Sequence, residues 1–161
     1  MEGGRLVRII SGGQTGVDRA ALDVAMARGL PCGGWVPRGR RAEDGRLPLQ
    51  YPMRESRRNS YEERTRLNVR DADGTLILTR GRPIGGTALT AALAQRLGKP
   101  CLLVDLENAP DPATINQWID ERHPGSQRRW TQREHLPGHL WPSGSPAAHA
   151  AAIICIRLDQ I

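Results

Sequence analysis

A chain of 161 residues is the size of one domain and can bury a core without disulfide staples. Its composition, 39% apolar and 25% charged, is that of an ordinary globular protein, and no apolar run approaches the roughly 20 residues a membrane helix needs. The formal charge is +6, and 22 of the 23 basic side chains are arginine; that suits bidentate anion binding, though a GC-rich genome would inflate arginine equally well.

Arg5 to Ile10 (RLVRII) reads as a buried parallel strand closed by Ser11-Gly12-Gly13. Asp18 to Arg28 carries a helical apolar stripe, Ala21, Leu22, Ala25 and Met26, ended by Gly29. Pro31 to Val36 suits a short second strand. A long polar loop, rich in proline and arginine, then runs from Pro37 to about Asn59. Tyr61 to Asn68 reads as helix, Thr75 to Thr79 (TLILT) as strand, and Thr87 to Leu97 as helix ended by Gly98. Cys101 to Leu106 (CLLVDL) is a further strand and Pro112 to Arg122 a further amphipathic helix. This alternation predicts an α/β fold: a single Rossmann-like, doubly wound, mainly parallel sheet with helices on both faces, followed by an irregular C-terminal tail. All four histidines and two of the four tryptophans, Trp130 and Trp141, fall after residue 122; neither helical nor strand periodicity holds from Gly125 to Ser145, and Ala147 to Ile156 is apolar without a clear turn or strand partner.

Four segments carry chemistry. Ser11-Gly12-Gly13-Gln14-Thr15-Gly16-Val17-Asp18 lies between a strand and a helix. Its glycines allow positive φ and close approach of N–H groups to an anion, and the helix N-terminus adds partial positive charge. The spacing is neither that of a P-loop nor that of a dinucleotide fingerprint, and a bare strand-to-helix turn capped by Asp18 is the other reading. Ile84-Gly85-Gly86-Thr87 repeats the placement, so both loops are expected to face one crevice at the carboxyl ends of the strands, with Thr87 as cap or phosphate ligand. Trp35 to Gly45 (WVPRGRRAEDG) sets three arginines before two acids, which suits a lid that clamps anions or a solvated charge run. In the fourth segment Arg64 and Asn68 share a helix face, and Asp71 and Asp73 shape the turn into the next strand.

No nucleophile–base pair is evident, so no catalytic residue is assigned. Cys32, Cys101 and Cys155 are an odd count without C-x-x-C spacing, which argues against a disulfide framework and against a zinc site. The N-terminus has no signal-peptide core, which places the chain in the cytoplasm. Over residues 1–122 the excess charge falls to 19 basic residues against 15 acidic ones. With Phe absent and no aromatic-interleaved basic patch, nucleic acid is disfavoured as a partner, and no membrane is implied.

The segments IISGGQTGVDRAALD, GGWVPRGRRAEDG, YEERTRLNVRDADGTLIL and GGTALT, in this order over residues 6–106, resemble the molybdenum cofactor carrier family. The resemblance implies a Rossmann-like fold related to lysine-decarboxylase-like phosphoribohydrolases and nucleotide-sensing domains. It implies a carrier or protector of the molybdenum cofactor, a phosphorylated pterin dithiolene, rather than an enzyme. The ligand residues it implies are Gly12, Gly13, Gln14, Thr15 and Gly16, joined by Arg38, Arg40, Gly85, Gly86 and Thr87. It also implies a homo-oligomer, with molybdoenzymes as recipients. The related hydrolases carry a glutamate just after the second glycine loop. Here Ala88, Leu89 and Thr90 follow Thr87, which counts against the alternative: a nucleotide-binding or nucleoside-monophosphate phosphoribohydrolase-like protein.

The resemblance breaks at the C-terminus in a patterned way. It implies a closing strand and loop of the type IRVLNVAGPRESTSPGIY, whereas residues 123–140 read HPGSQRRWTQREHLPGHL. Read one base later with permitted codons, those 18 residues can encode the family segment. The expectation is therefore a ligand-binding domain over residues 1–122 and an aberrant tail over 123–161, shifted in frame near codons 118–123. Such a tail would leave an unpaired sheet edge, with Ile153 to Ile156 outside any designed place in the core.

Overall fold

The computed structural model describes residues 6–108, 110–121 and 152–158. β1 (Leu6–Ser11) runs parallel to β2 (Cys32–Val36), with Ile9 opposite Cys32, and α1 (Val17–Ala27) forms the crossover between them. Between β2 and the next helix come β3 (Arg41–Ala42), β4 (Gly45–Arg46) and β5 (Met53–Glu55). Then follow α2 (Tyr61–Asp71), β6 (Gly74–Thr79), α3 (Gly85–Arg96), β7 (Cys101–Asp105), α4 (Pro112–Glu121) and β8 (Ala152–Leu158).

The main sheet has the order β5-β2-β1-β8-β6-β7. β1, β2 and β5 are mutually parallel, as are β6 and β7. The chain therefore winds outward from β1 in one direction and returns to build β6 and β7 on the other side, as a doubly wound sheet does. Neighbouring β1 residues face opposite layers. Ile9 packs with Leu22 and Ala25 of α1 and with Trp118 of α4, while Ile10 packs with Val69 of α2 and Ala94 of α3. Leu22 and Ile77 are fully buried, each contributing about 1.5–3 kcal/mol of transfer free energy. α2 starts at Ser60, whose hydroxyl accepts from the Glu63 amide at 3.2 Å, while the Glu63 carboxylate accepts from the Arg58 amide at 3.1 Å.

Two expectations need correction. The stretch from Pro37 to Asn59 is not a plain loop: β3 and β4 form a small hairpin, and β5 pairs with β2, Gly34 opposite Met53 and Val36 opposite Glu55. β5 is invisible as an apolar run because it sits at the sheet edge, where backbone pairing alone can hold a strand. The second correction concerns Ile153 to Ile156. Their strand, β8, is inserted between β1 and β6 and is antiparallel to both, with Ile10 opposite Cys155 and Ile77 opposite Ile153. Without it the facing edges of β1 and β6 would be unpaired, so an apolar strand is stabilised there in either direction. Cys155 is only 1% exposed. The rest of the expected irregular tail, Trp130 and Trp141 included, lies outside the described residues.

Candidate glycine-loop anion site

The loop Gly12 to Gly16 joins β1 to α1. Gly13 and Gly16 have φ of +70° and +80°, which side-chain-bearing residues rarely adopt, so the sharp exit from β1 depends on them. The turn is locked from below. Ser11 Oγ donates to the Asp18 carbonyl at 2.8 Å and accepts from the Gly13 amide at 3.2 Å. The helix starts at Gly16 without a side-chain cap; Asp18 instead turns its Oδ2 back to the Gln14 amide at 3.4 Å. The cap expected of Asp18 is thus a brace for the glycine loop.

Gly12 is needed for a different reason. A Cβ there would lie 1.5 Å from Nη1 of Arg64 and 2.7 Å from its Cζ. Arg64 rises from the first turns of α2 and presses its guanidinium against the loop backbone, only 8% exposed. Its counter-charge is distant: Nη1 to Asp18 Oδ2 is 3.7 Å, and the Tyr61 ring centroid is 5.7 Å from Cζ. Burial lowers its pKa, with Asp18 opposing the shift. Asn68, one turn on, is a different kind of residue: its side-chain amide takes both the N–H and the carbonyl of Trp35, at 2.7 and 3.1 Å, and so ties α2 to β2.

The β3–β4 hairpin folds over this loop and presents acids to it rather than arginines. Thr15 Oγ1 donates to Glu43 Oε2 at 2.6 Å, and the Glu43 amide donates to Gln14 Oε1 at 3.0 Å. Arg19 Nη2 donates to Asp44 Oδ1 at 2.9 Å. That bond raises Arg19's pKa and holds the exposed Asp44 below the usual carboxylate range. Arg40 points the other way. From a left-handed turn of φ +55°, its buried guanidinium donates to the carbonyls of Leu47, Pro48, Met53 and Tyr51 at 2.9–3.3 Å and so staples the segment that follows the hairpin. Arg38 is exposed.

The second glycine loop follows β6, at the same end of the sheet as Gly12 to Gly16 but with β8 between. Gly85 and Gly86 are exposed, and a Cβ at either would meet nothing within 4 Å. Thr87 is buried, its amide closing the first turn on the Ile84 carbonyl at 3.1 Å.

One feature gathers around the first loop. Among the described residues, the buried side-chain nitrogen or oxygen atoms without a hydrogen-bond partner are Gln14 Nε2, Arg19 Nε and Arg64 Nε. All three are donors, and all flank Gly12 to Gly16. Buried donors without acceptors cost about 1–3 kcal/mol each, so this loop is a place where an acceptor, from water or from a ligand, would be stabilising. Among the described residues no three His, Cys, Asp or Glu side chains gather to hold a metal ion.

The sequence profile of the circularly permutated YpsA SLOG family matches residues 9–126, a span that takes in both glycine loops, the hairpin and Arg64. The chain belongs to the circularly permutated YpsA SLOG family. Its SLOG fold is shared with a 1.45 Å crystal structure, "Putative molybdenum carrier protein" from Syntrophus aciditrophicus SB. The two are 46% identical over 75% of this chain and 78% of that one, with a TM-score of 0.72. Among curated proteins none matches. The α/β fold carries its glycine loops at the carboxyl ends of parallel strands, as the sequence predicts. No helix among the described residues is long and apolar enough to cross a membrane.

Proposed function

We propose that this SLOG protein binds a phosphorylated pterin, the molybdenum cofactor, as cargo, with the phosphate seated at Gly12 to Gly16. The observation that carries the reading is the set of buried, unpartnered donors on Gln14, Arg19 and Arg64 around that loop. A phosphate offers several acceptor oxygens and up to two negative charges, which suits donors of this kind. The Syntrophus aciditrophicus relative is named a molybdenum carrier protein, which supports molybdenum as part of the cargo. In this reading the loop of Gly12, Gly13, Gln14, Thr15 and Gly16 forms the phosphate seat, braced by the bonds of the Gly13 and Gln14 amides to Ser11 and Asp18, and Arg64 neutralises the phosphate. Gly85, Gly86 and Thr87 approach the ligand from the second loop, and Arg38 flanks the entrance. Arg40 acts at one remove, by shaping the segment that carries the hairpin. The hairpin is the lid, and its Glu43 holds Thr15 until a phosphate replaces the carboxylate. The chain acts as a cytoplasmic homo-oligomer that delivers its cargo to molybdoenzymes.

The test is anaerobic equilibrium dialysis against molybdenum cofactor released from a molybdoenzyme, read as oxidised pterin fluorescence. Arg64→Met should weaken retention by about 10- to 100-fold, the worth of one charge-assisted hydrogen bond. Equal retention by wild type and variant would remove the glycine loop as the phosphate seat.

A second reading rests on Glu43. The sequence lacks an acid after the second glycine loop, yet the fold brings this carboxylate to 2.6 Å from Thr15 at the first. An N-glycosidic hydrolase needs an acidic group near the sugar, a role open to Glu43 for a nucleotide whose phosphate sits in this loop. Release of free base from a nucleoside monophosphate, lost in Glu43→Gln, would favour that enzyme over the carrier.

A further inference from the structure

A cavity of about 340 Å³ lies against the last turn of α2, and none of its lining residues belongs to the glycine loops. Arg8, Arg54, Arg70 and Lys99 line it, with Asp71 and Asp73 as its carboxylates. Asp73 and Lys99 lead into β6 and β7, so this end of the cavity opens at the strand ends opposite to the glycine loops.

Arg8 is out of place for an ordinary core. It shares a face of β1 with Ile10, which is buried against α2 and α3, and such positions in parallel sheets take apolar side chains. Its guanidinium is nevertheless given room. A Cβ on Gly33, across the sheet in β2, would fall 2.6 Å from Nη2, so glycine clears the space that the cation fills. There Nη2 has a long bond of 3.4 Å to the Cys32 carbonyl. Lys99 is likewise held by a carbonyl, its Nζ donating to Ala72 at 2.8 Å. Asp71 is already committed, accepting from Arg70 Nε at 2.6 Å and Trp35 Nε1 at 2.7 Å. Arg8 and Lys99 are thus held by neutral carbonyls while Arg70 is paired with Asp71, and the lining as a whole sets four cations against two carboxylates, an excess of positive charge that suits an anion.

We propose that this cavity is a second anion site, distinct from the glycine loop, that takes a small oxyanion of two or more negative charges. The charges belong either to phosphate or to carboxylate groups, and the arms of the test separate these.

The test is calorimetric titration of the full chain at low salt with inorganic pyrophosphate and, separately, with citrate. It is run on the wild type, on Arg64→Met to disable the glycine loop, and on Arg54→Gln with Lys99→Gln. One of the two anions should bind the Arg64→Met protein, with affinity falling at least about tenfold in the Arg54 and Lys99 double variant. Arg54→Gln alone, at an exposed position, should give part of that loss without a change in fold. Pyrophosphate binding assigns a phosphate ligand, and citrate binding a carboxylate one. If neither anion binds the Arg64→Met protein, or if the double variant binds as tightly as wild type, there is no second site.

Discussion

Replacing Gly12 by alanine probes the core of the proposed site with one carbon atom. The φ of Gly12 is not in the left-handed region, so alanine is tolerated by the backbone itself. Its Cβ would nevertheless sit 1.5 Å from Arg64 Nη1, 2.7 Å from Cζ and 3.0 Å from Asp18 Oδ2. The guanidinium is the movable partner, so it must swing away from the loop and from Asp18. Deleting one partner of a buried ion pair costs about 3–5 kcal/mol. Here the pair is loose, at 3.7 Å, and a displaced arginine can carry its charge toward water, so about 1–3 kcal/mol is expected. For a domain of this size that lowers the melting temperature by about 2–4 °C per kcal/mol. The phosphate seat loses its buried cation, and affinity for a phosphorylated ligand should fall about 10- to 100-fold. Differential scanning calorimetry and ligand titration measure the two effects. The decisive comparison is Gly12→Ala combined with Arg64→Met. If the substitution acts by evicting Arg64, the double variant binds no worse than Arg64→Met alone. Additive losses, or wild-type affinity in Gly12→Ala, would refute the placement of Arg64 against the loop.

Four further outcomes are expected. The hairpin variant Glu43→Gln with Asp44→Asn should bind phosphate about two- to fivefold more tightly, because surface contacts of this kind are worth about 0.2–1 kcal/mol and compete with the ligand; faster amide exchange over residues 40–46 would show the hairpin released. Arg19 holds Asp44 below its ordinary 3.8, so that contact stays in place above pH 3.8 and is lost only as pH falls through the lowered value; opening at neutral pH would contradict it. Burial pushes Cys155 up to about 12 and Cys101 to about 11, against an ordinary 9.0. Folded thiols then keep protons that unfolded ones release, so stability is intact below pH 9 and declines from there toward pH 12; Cys155→Ala should flatten that decline in alkaline denaturation, and an unchanged curve would deny Cys155 its buried place. Finally, we propose that residues 123–161 are read out of frame: the coding DNA of residues 123–140, read one base later, should spell a segment of the type IRVLNVAGPRESTSPGIY, and codons that do not spell it dismiss the frame slip.

The parts of the fold legible in the sequence are its apolar runs. TLILT marks β6, a central strand that is buried at nearly every position, and the start of CLLVDL marks β7, an edge strand that is half-buried but apolar in sequence. Met53 to Glu55 gives no such signal, since β5 is joined to β2 through its backbone at an edge. β8 is apolar enough, but its partners are β1 and β6, more than 70 residues away in sequence, and nothing local announces an antiparallel insertion.

The candidate site divides in the same way. Strand, glycines and helix in succession reveal the loop at Gly12 to Gly16, because the φ requirement is local. Arg64 shows only as half of a helix face shared with Asn68; that the one guards Gly12 while the other binds Trp35 is settled by tertiary packing. Arginine in WVPRGRRAEDG suggests an anion clamp by residue type alone. The fold turns Arg40 toward four carbonyls and brings Glu43 and Asp44 to the loop instead, a reversal set by the left-handed turn at Arg40 and by the tight β3–β4 hairpin.

The most direct test is a native mass spectrum of the full-length protein purified anaerobically from its own host. A carrier seats its cargo through purification, so the expected result is an adduct with the molybdenum isotope pattern and the mass of a phosphorylated pterin, absent from Arg64→Met. A bare chain, or a nucleotide adduct without molybdenum, would contradict the carrier and turn attention to the nucleotide reading.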